Sequence, residues 1–270
     1  MDEATGTEPF RKKPRIVAQP SSGRPSRIGA RLEPVEGAGA FEALSRNLGG
    51  PGPIVARAPD GYAAAVTNDY GRQVADAWRG SAPYWERHGE TVRAMFAPLT
   101  EALLDEVDLA PGHRVLDVAG GPGEPSATIA GVVGSGGLVV HTDVAEGMVA
   151  AARRRRVEPM RFAVASGEAL PFAGRIFDRA VCRLGVMFFP DAGRGIGEML
   201  RVVRPGGRVA LVVWGTKERN PYFGIPSEAA ARYVPSEPDP PGAPNAWRFG
   251  EPGMLAGLAA AAGAEGVRER

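Results

Sequence analysis

A single cysteine, Cys182, excludes an internal disulfide framework and any zinc site built on cysteines. No run of about 18 apolar residues occurs, so nothing in the sequence reads as a membrane-spanning helix. Net charge is almost absent: 32 basic against 31 acidic residues leave +1, which gives no reason to expect nucleic acid or an anionic membrane as an obligate partner. Lysine is scarce, three of the 32 basic residues, and with abundant Ala, Gly, Pro and Arg this reads as genomic base composition without functional content. Asp2 and Glu3 precede the basic cluster Arg11, Lys12, Lys13 and Arg15, and no apolar segment follows. A secretory signal is therefore not expected, and a cytoplasmic location is. What remains is ordinary globular material, 44% hydrophobic and 23% charged over 270 residues, enough for one domain with extensions.

The first 65 residues are rich in Pro, Gly, Ser and Arg and carry no sustained period of 2 or 3.6. They are expected to form a disordered or weakly structured leader, with the domain at 66–270. From residue 68 aromatics crowd together as Tyr70, Trp78, Tyr84 and Trp85. Residues 91–107 then place Met95, Leu99, Leu103 and Leu104 at helical spacing, ended by Pro111 and Gly112.

The most informative stretch is 113–126. Residues 114–119 form a short apolar run holding Asp117, a glycine-dense turn follows, and a helix is expected from Pro125. Strand, tight loop and helix N-terminus together make the geometry with which α/β proteins hold nucleotide-like ligands. Gly121 and Gly123 are expected to let the backbone pass close to the ligand, with Asp117 pointing at it. Ser126 stands where a dinucleotide fingerprint needs its third glycine, and no Gly-Lys-Ser/Thr follows, so neither the pyrophosphate nor the P-loop pattern is met. An acid here suits a ligand with a nearby cation, such as the amino group of a methionine moiety. S-adenosylmethionine meets that description.

Beyond this loop strand and helix alternate. Strands are expected at 137–142, 160–165, 177–183 and 208–214, and helices at 125–133, 146–156 and 195–203. Asp143 closes the second strand, where a carboxylate can accept both ribose hydroxyls. Arg183, Gly185 and Met187 follow the fourth strand, on the side where open α/β sheets bind ligands. Residues 215–252 contain eight prolines and little periodicity. With Tyr222 and Trp247 they are expected to form a substrate-side cap favouring a flat apolar or aromatic acceptor. A helix at 252–263 and the opening of a sixth strand at 266–270 complete the pattern.

The run Val-Leu-Asp-Val-Ala-Gly-Gly-Pro-Gly-Glu-Pro at 115–125 resembles motif I of the class I S-adenosylmethionine-dependent methyltransferases. It is most similar to the branch of ubiquinone/menaquinone C-methyltransferases, the type 11 methyltransferase domain. Arg204-Pro-Gly-Gly207 and Ser166-Gly-Glu-Ala-Leu-Pro-Phe172 extend the likeness. The resemblance implies a Rossmann-like doubly wound sheet in the order 3-2-1-4-5-7-6 and S-adenosylmethionine as cofactor. It also implies methyl transfer to a small molecule of aromatic or quinol-like type. By the same resemblance the cofactor would meet Asp117, Ala119, Gly121, Gly123, Asp143, Val144 and Met148, then Ser166, Gly167, Glu168 and Arg183. Ala119 replaces the family's first motif glycine, and Ser166 replaces an aspartate that bonds the adenine. Trp78, Tyr84, Trp85, Met187, Tyr222 and Trp247 are expected on the substrate side.

The antiparallel seventh strand has no counterpart at the C-terminal end of the sequence, so strand five is expected to keep an open apolar edge. Two alternatives accompany this assignment: a non-catalytic or truncated relative, and a nicotinamide-dependent reductase. None of the five tyrosines has a lysine four residues on, so the short-chain reductase pair is absent. No residue stands out as a general base.

Overall fold

The computed structural model describes residues 15–20, 55–57, 69–221, 225, 228–230, 232–233 and 242–270. Eight strands form one sheet: β1 (Arg15–Pro20), β2 (Val55–Arg57), β3 (Arg114–Val118), β4 (Leu138–Asp143), β5 (Met160–Val164), β6 (Phe177–Arg183), β7 (Val203–Val212) and β8 (Ala264–Glu269). Their order is β2-β5-β4-β3-β6-β7-β1-β8. The five central strands β5, β4, β3, β6 and β7 are parallel, in the expected 3-2-1-4-5 order. Every residue of β4 is buried, and β6 is buried up to Arg183, because parallel sheets of this kind are covered on both faces.

Two short stretches within the first 65 residues join the sheet. Arg15–Pro20 pairs antiparallel with β7, Val17 opposite Ala210, and antiparallel with β8, Val17 opposite Arg268. It therefore occupies the place between strands five and six that the expected topology gives to a C-terminal seventh strand. The open edge expected on strand five is filled by backbone from the other end of the sequence. Val55–Arg57 adds a short parallel strand outside β5.

The helices follow from local pattern. Helix α1 (Asp69–Arg87) and helix α2 (Gly89–Val107) are separated only by His88, and α2 ends where Asp108 turns left-handed and caps onto Asp105. Phe96, Leu99, Leu103 and Val107 recur at three and four residues and enter the core. Helices α3 (Ser126–Val133) and α4 (Glu146–Arg154) each follow a strand, as a doubly wound sheet requires. Helix α5 (Ala192–Val202) begins at Asp191, whose side chain accepts the Arg194 N–H at 2.9 Å, and α6 (Met254–Ala261) leads into β8.

At the amino ends of the strands Arg179 fastens α2 to β6 by donating to Val107 O at 2.6 Å, while Asp108 receives Arg208 at 3.4 Å. Among the described residues no helix is long and apolar enough to cross a membrane.

Candidate cofactor and acceptor site

The loops after β3, β4, β5 and β6 leave neighbouring strands at their carboxyl ends and surround one cavity of about 470 Å³. The loop after β3 is held down by its neighbour. Gly120 N–H donates to Thr142 O at 3.0 Å, and Gly121 N–H donates to Asp143 Oδ2 at 2.9 Å. The other Asp143 oxygen accepts the Ala145 N–H at 2.8 Å. Burial pushes the Asp143 carboxyl up to about 6, against the pull of these amide donors.

Each glycine has its own task. Gly121, at φ +58°, has open space where a Cβ would stand and lines the cavity. A Cβ on Gly120 would meet the His141 ring at 2.5 Å and Asp117 Oδ2 at 2.7 Å. Gly123 does not line the cavity. A Cβ there would run into Arg155 Cδ at 2.8 Å and Ala152 Cα at 3.0 Å, so this glycine lets α4 pack against the loop. The expectation that Gly123 admits the ligand is corrected accordingly.

Asp117 is also displaced from its expected role. Its side chain is 0% exposed beneath the loop, where Oδ2 accepts the Ser126 hydroxyl. Ser126 Oγ in turn lies 2.9 Å from His141 Nδ1. Asp117 Oδ1 and His141 Nε2 are buried without a hydrogen-bond partner among the described residues. Burial raises the Asp117 carboxyl to about 7, moderated by the Ser126 bond and the Arg183 charge, and lowers the His141 imidazole to about 3. This cluster supports the loop from below and does not face the cavity.

Ala119, Val144 and Met148 line the cavity with Gly121 and Asp143, and Ser166, Gly167, Glu168 and Arg183 continue the wall. Arg183 is fixed by bonds to Thr100 Oγ1 at 2.6 Å and Glu124 O at 3.0 Å, and its guanidinium lies 5.4 Å from the Phe96 ring centre. Burial lowers its pKa. Helix α1 closes one side. Ala82 packs with Ala145 and Met148 in a small cluster separate from the main core, flanked by Trp78 and Trp85. The Trp78 ring stands 5.1 Å from Phe188, edge-on. Glu86 and Arg154 join the helix to α4 through two bonds of 2.6 Å.

The profile of the ubiE/COQ5 methyltransferase family matches residues 100–234, half of the 270. The chain belongs to the ubiE/COQ5 methyltransferase family. It is 40% identical over 124 residues to the demethylmenaquinone methyltransferase of Beutenbergia cavernae, covering 46% of this chain and 50% of that one. It is 35% identical over 145 residues to an uncharacterized protein of Mycobacterium tuberculosis, covering 53% and 51%. The chain thus spans about half the length of these curated relatives. A solved S-adenosylmethionine-dependent methyltransferase from Aquifex aeolicus is similar at 20% identity and a TM-score of 0.45, covering 61% of this chain and 78% of that one.

In this ubiE/COQ5 family member the expected acceptor residues divide. Trp78, Trp85, Met187 and Trp247 line the cavity, whereas Tyr84 is 64% exposed, tilted against the His88 ring and outside it. An alternation of aromatics along a helix does not show which of them face inward, and Tyr84 lies on the outer side of α1. Tyr222 lies outside the described residues. Residues 242–250 of the proline-rich segment do reach the fold, with Trp247 on the cavity wall and Phe249 in the core. Phe96 and Trp214, packed edge-on at 5.8 Å, were missed as cavity residues because the helical and strand patterns mark them equally well as core. Cys182 is fully buried with its thiol pushed up to about 12, which leaves it inert at neutral pH.

Proposed function

We propose that this protein transfers the sulfonium methyl of S-adenosylmethionine to a flat, largely apolar small molecule by in-line displacement. One observation carries the proposal: a single continuous cavity joins the glycine loop and Asp143 to an aromatic wall of Trp78, Phe96, Trp214 and Trp247. The polar end suits an adenosyl-methionine ligand, with Gly121 giving close backbone approach and Asp143 retaining a lone pair on each oxygen for a ribose hydroxyl. The apolar end suits an acceptor of quinol or phenol type.

In the reaction a bond forms between the acceptor and the methyl carbon while the carbon–sulfur bond breaks, its electron pair remaining on sulfur. The sulfonium makes the methyl electrophilic, so the protein's part is alignment and exclusion of water. Among the described residues the titratable ones lining the cavity are Arg93, Glu124, Asp143, Arg155, Glu168 and Arg183. The missing seventh strand, which favoured a non-catalytic relative, loses its force because β1 fills that place.

Calorimetric titration with S-adenosylmethionine, S-adenosylhomocysteine and NAD(H) tests the proposal. Saturable binding of the two adenosyl ligands and not NAD(H) is expected, followed by turnover in a screen of quinols and phenols. A folded sample that binds none of them, or binds NAD(H) instead, overturns it. Asp143→Ala should weaken the adenosyl ligands by at least tenfold, and unchanged binding would remove Asp143 from the ribose site.

A further inference from the structure

Arg93, Arg155 and Arg183 line the cavity, and their engagement differs. Arg93 meets Glu90 at 2.9 Å, and Arg155 meets Glu124 at 3.2 Å. Among the described residues Arg183 forms no ion pair; its bonds go to two neutral oxygens, Thr100 Oγ1 and Glu124 O. Thr100 donates its own proton to Phe96 O at 3.2 Å, so its oxygen is turned to accept and the guanidinium is fixed in place. A guanidinium carries five N–H groups, and those not given to Thr100 and Glu124 are left for a ligand. The carboxylates that bear on it are both engaged elsewhere. Asp117 lies under the glycine loop with its carboxyl raised to about 7, and the two oxygens of Glu124 are taken by Arg155 and Thr128. A cation drawn from water into an aromatic-lined cavity without its own counter-charge calls for an anion.

The order of the sheet locates that anion. Strand β6, which ends in Arg183, stands between β3 with its glycine loop and β7, which leads to Trp214. An adenosyl ligand with its methionine tail at the glycine loop and its ribose at Asp143 runs away from β6, so the end of β6 faces the acceptor and not the nucleoside. The charge is set into the aromatic wall: the guanidinium lies 5.4 Å from the Phe96 ring centre, and Phe96 packs edge-on to Trp214 at 5.8 Å. Resting on the function proposed above, we infer that Arg183 binds the methyl acceptor as an oxyanion, the conjugate base of a phenol or enol. A charge-assisted bond to such an oxygen is stronger than one to a neutral hydroxyl, the more so where the surroundings are apolar. The flat ring that carries the oxygen packs against Phe96 and Trp214. Methyl transfer to that oxygen cancels the anion against the sulfonium and leaves a neutral ether, which Arg183 holds less firmly. The carboxylate of the methionine tail is the rival anion, since the resemblance placed Arg183 among the cofactor residues.

The test titrates the full chain, saturated with S-adenosylhomocysteine, with 4-nitrophenol and with its methyl ether 4-nitroanisole at pH 8, where the free phenol is ionised. The wild type should bind the phenolate at least tenfold more tightly than the ether. The yellow phenolate should also persist on the protein to about one pH unit below its titration in free solution, the same tenfold read as a pKa. Arg183→Met should bring the two probes to within about twofold of each other, while Arg183→Lys, which keeps the charge, should retain a clear preference for the phenolate. Both variants should bind S-adenosylhomocysteine within about threefold of wild type. A wild type that holds the two probes equally, or holds neither, overturns this inference alone. A tenfold loss of S-adenosylhomocysteine in Arg183→Met gives the guanidinium to the methionine carboxylate and overturns it as well. Failure of the folded wild type to bind S-adenosylhomocysteine overturns the cofactor reading and this inference with it.

Discussion

A Cβ placed on Gly185 would stand 2.6 Å from the Ala119 Cβ, so the loops after β6 and β3 touch where neither has room for another atom. Ala119 itself sits at φ +56°, a conformation that favours glycine. The Ala119 methyl, together with Cys182 Sγ at 2.8 Å from the same point, thus fixes a glycine at 185.

Gly185→Ala should therefore lower stability by about 1–3 kcal/mol, the usual cost of forcing extra atoms into a filled space. Adding Ala119→Gly should return part of that loss, because one of the two clashing methyls is gone; Cys182 Sγ, at 2.8 Å from the same point, retains the remainder. Urea unfolding of the two single variants and the double variant measures the coupling. Strict additivity would show that the loops do not meet as described.

Asp117 links stability to pH. Its folded pKa of about 7 lies above its unfolded value, so the native state holds a proton that the unfolded chain has lost, and stability falls as pH rises from about 4 through 7. Asp143, raised to about 6, acts in the same direction, while His141, lowered to about 3, acts oppositely between pH 3 and 6.5. Asp117→Asn removes one contribution cleanly. Relative to wild type it should gain on the order of 1–4 kcal/mol between pH 5 and pH 8, read by denaturant unfolding at both values. An equal difference at the two pH values would mean that Asp117 is ionised throughout.

Val17 pairs with Ala210 on one side and Arg268 on the other, so proline there removes an amide from an interior strand. Val17→Pro should cost about 3 kcal/mol and lower Tm by roughly 6–12 °C. Thermal unfolding indistinguishable from wild type would place residues 15–20 outside the sheet in solution.

Trp78 holds α1 over the cavity through Phe188 and the Met148 cluster. If the adenosyl ligand lies beneath it, Trp78→Ala should weaken S-adenosylhomocysteine about tenfold while the main core, which is separate, keeps the fold cooperative. Calorimetry beside thermal unfolding distinguishes this from global damage: unaltered affinity would make α1 a bystander.

The central strands were legible because each is a short apolar run ended by a turn, and the Asp143 spacing placed an acid on the cavity wall. Gly121 and Gly123 show the limit of that legibility. Both are glycines at positive φ in one loop, yet one opens on the cavity and the other on α4, and only three-dimensional neighbours decide which way an absent Cβ would point. Residues 15–20 were hidden for a different reason. Arg-Ile-Val-Ala-Gln-Pro is too brief and too isolated to signal a strand, and its place is created by β7 and β8, nearly the whole sequence away.

That distance bears on how the protein is made. Ile16 leaves the ribosome long before Glu269, one of its two partners, has followed it. At roughly 5–20 residues per second the wait lasts on the order of ten seconds or more. Until β7 emerges the amides and carbonyls of Arg15–Pro20 have no ladder to join, and until β8 emerges one side of β1 stays unpaired. Of the eight strands described, β1 is translated before the others and its pairing is completed last, which makes the newborn chain, more than the folded one, the form most exposed to mispairing.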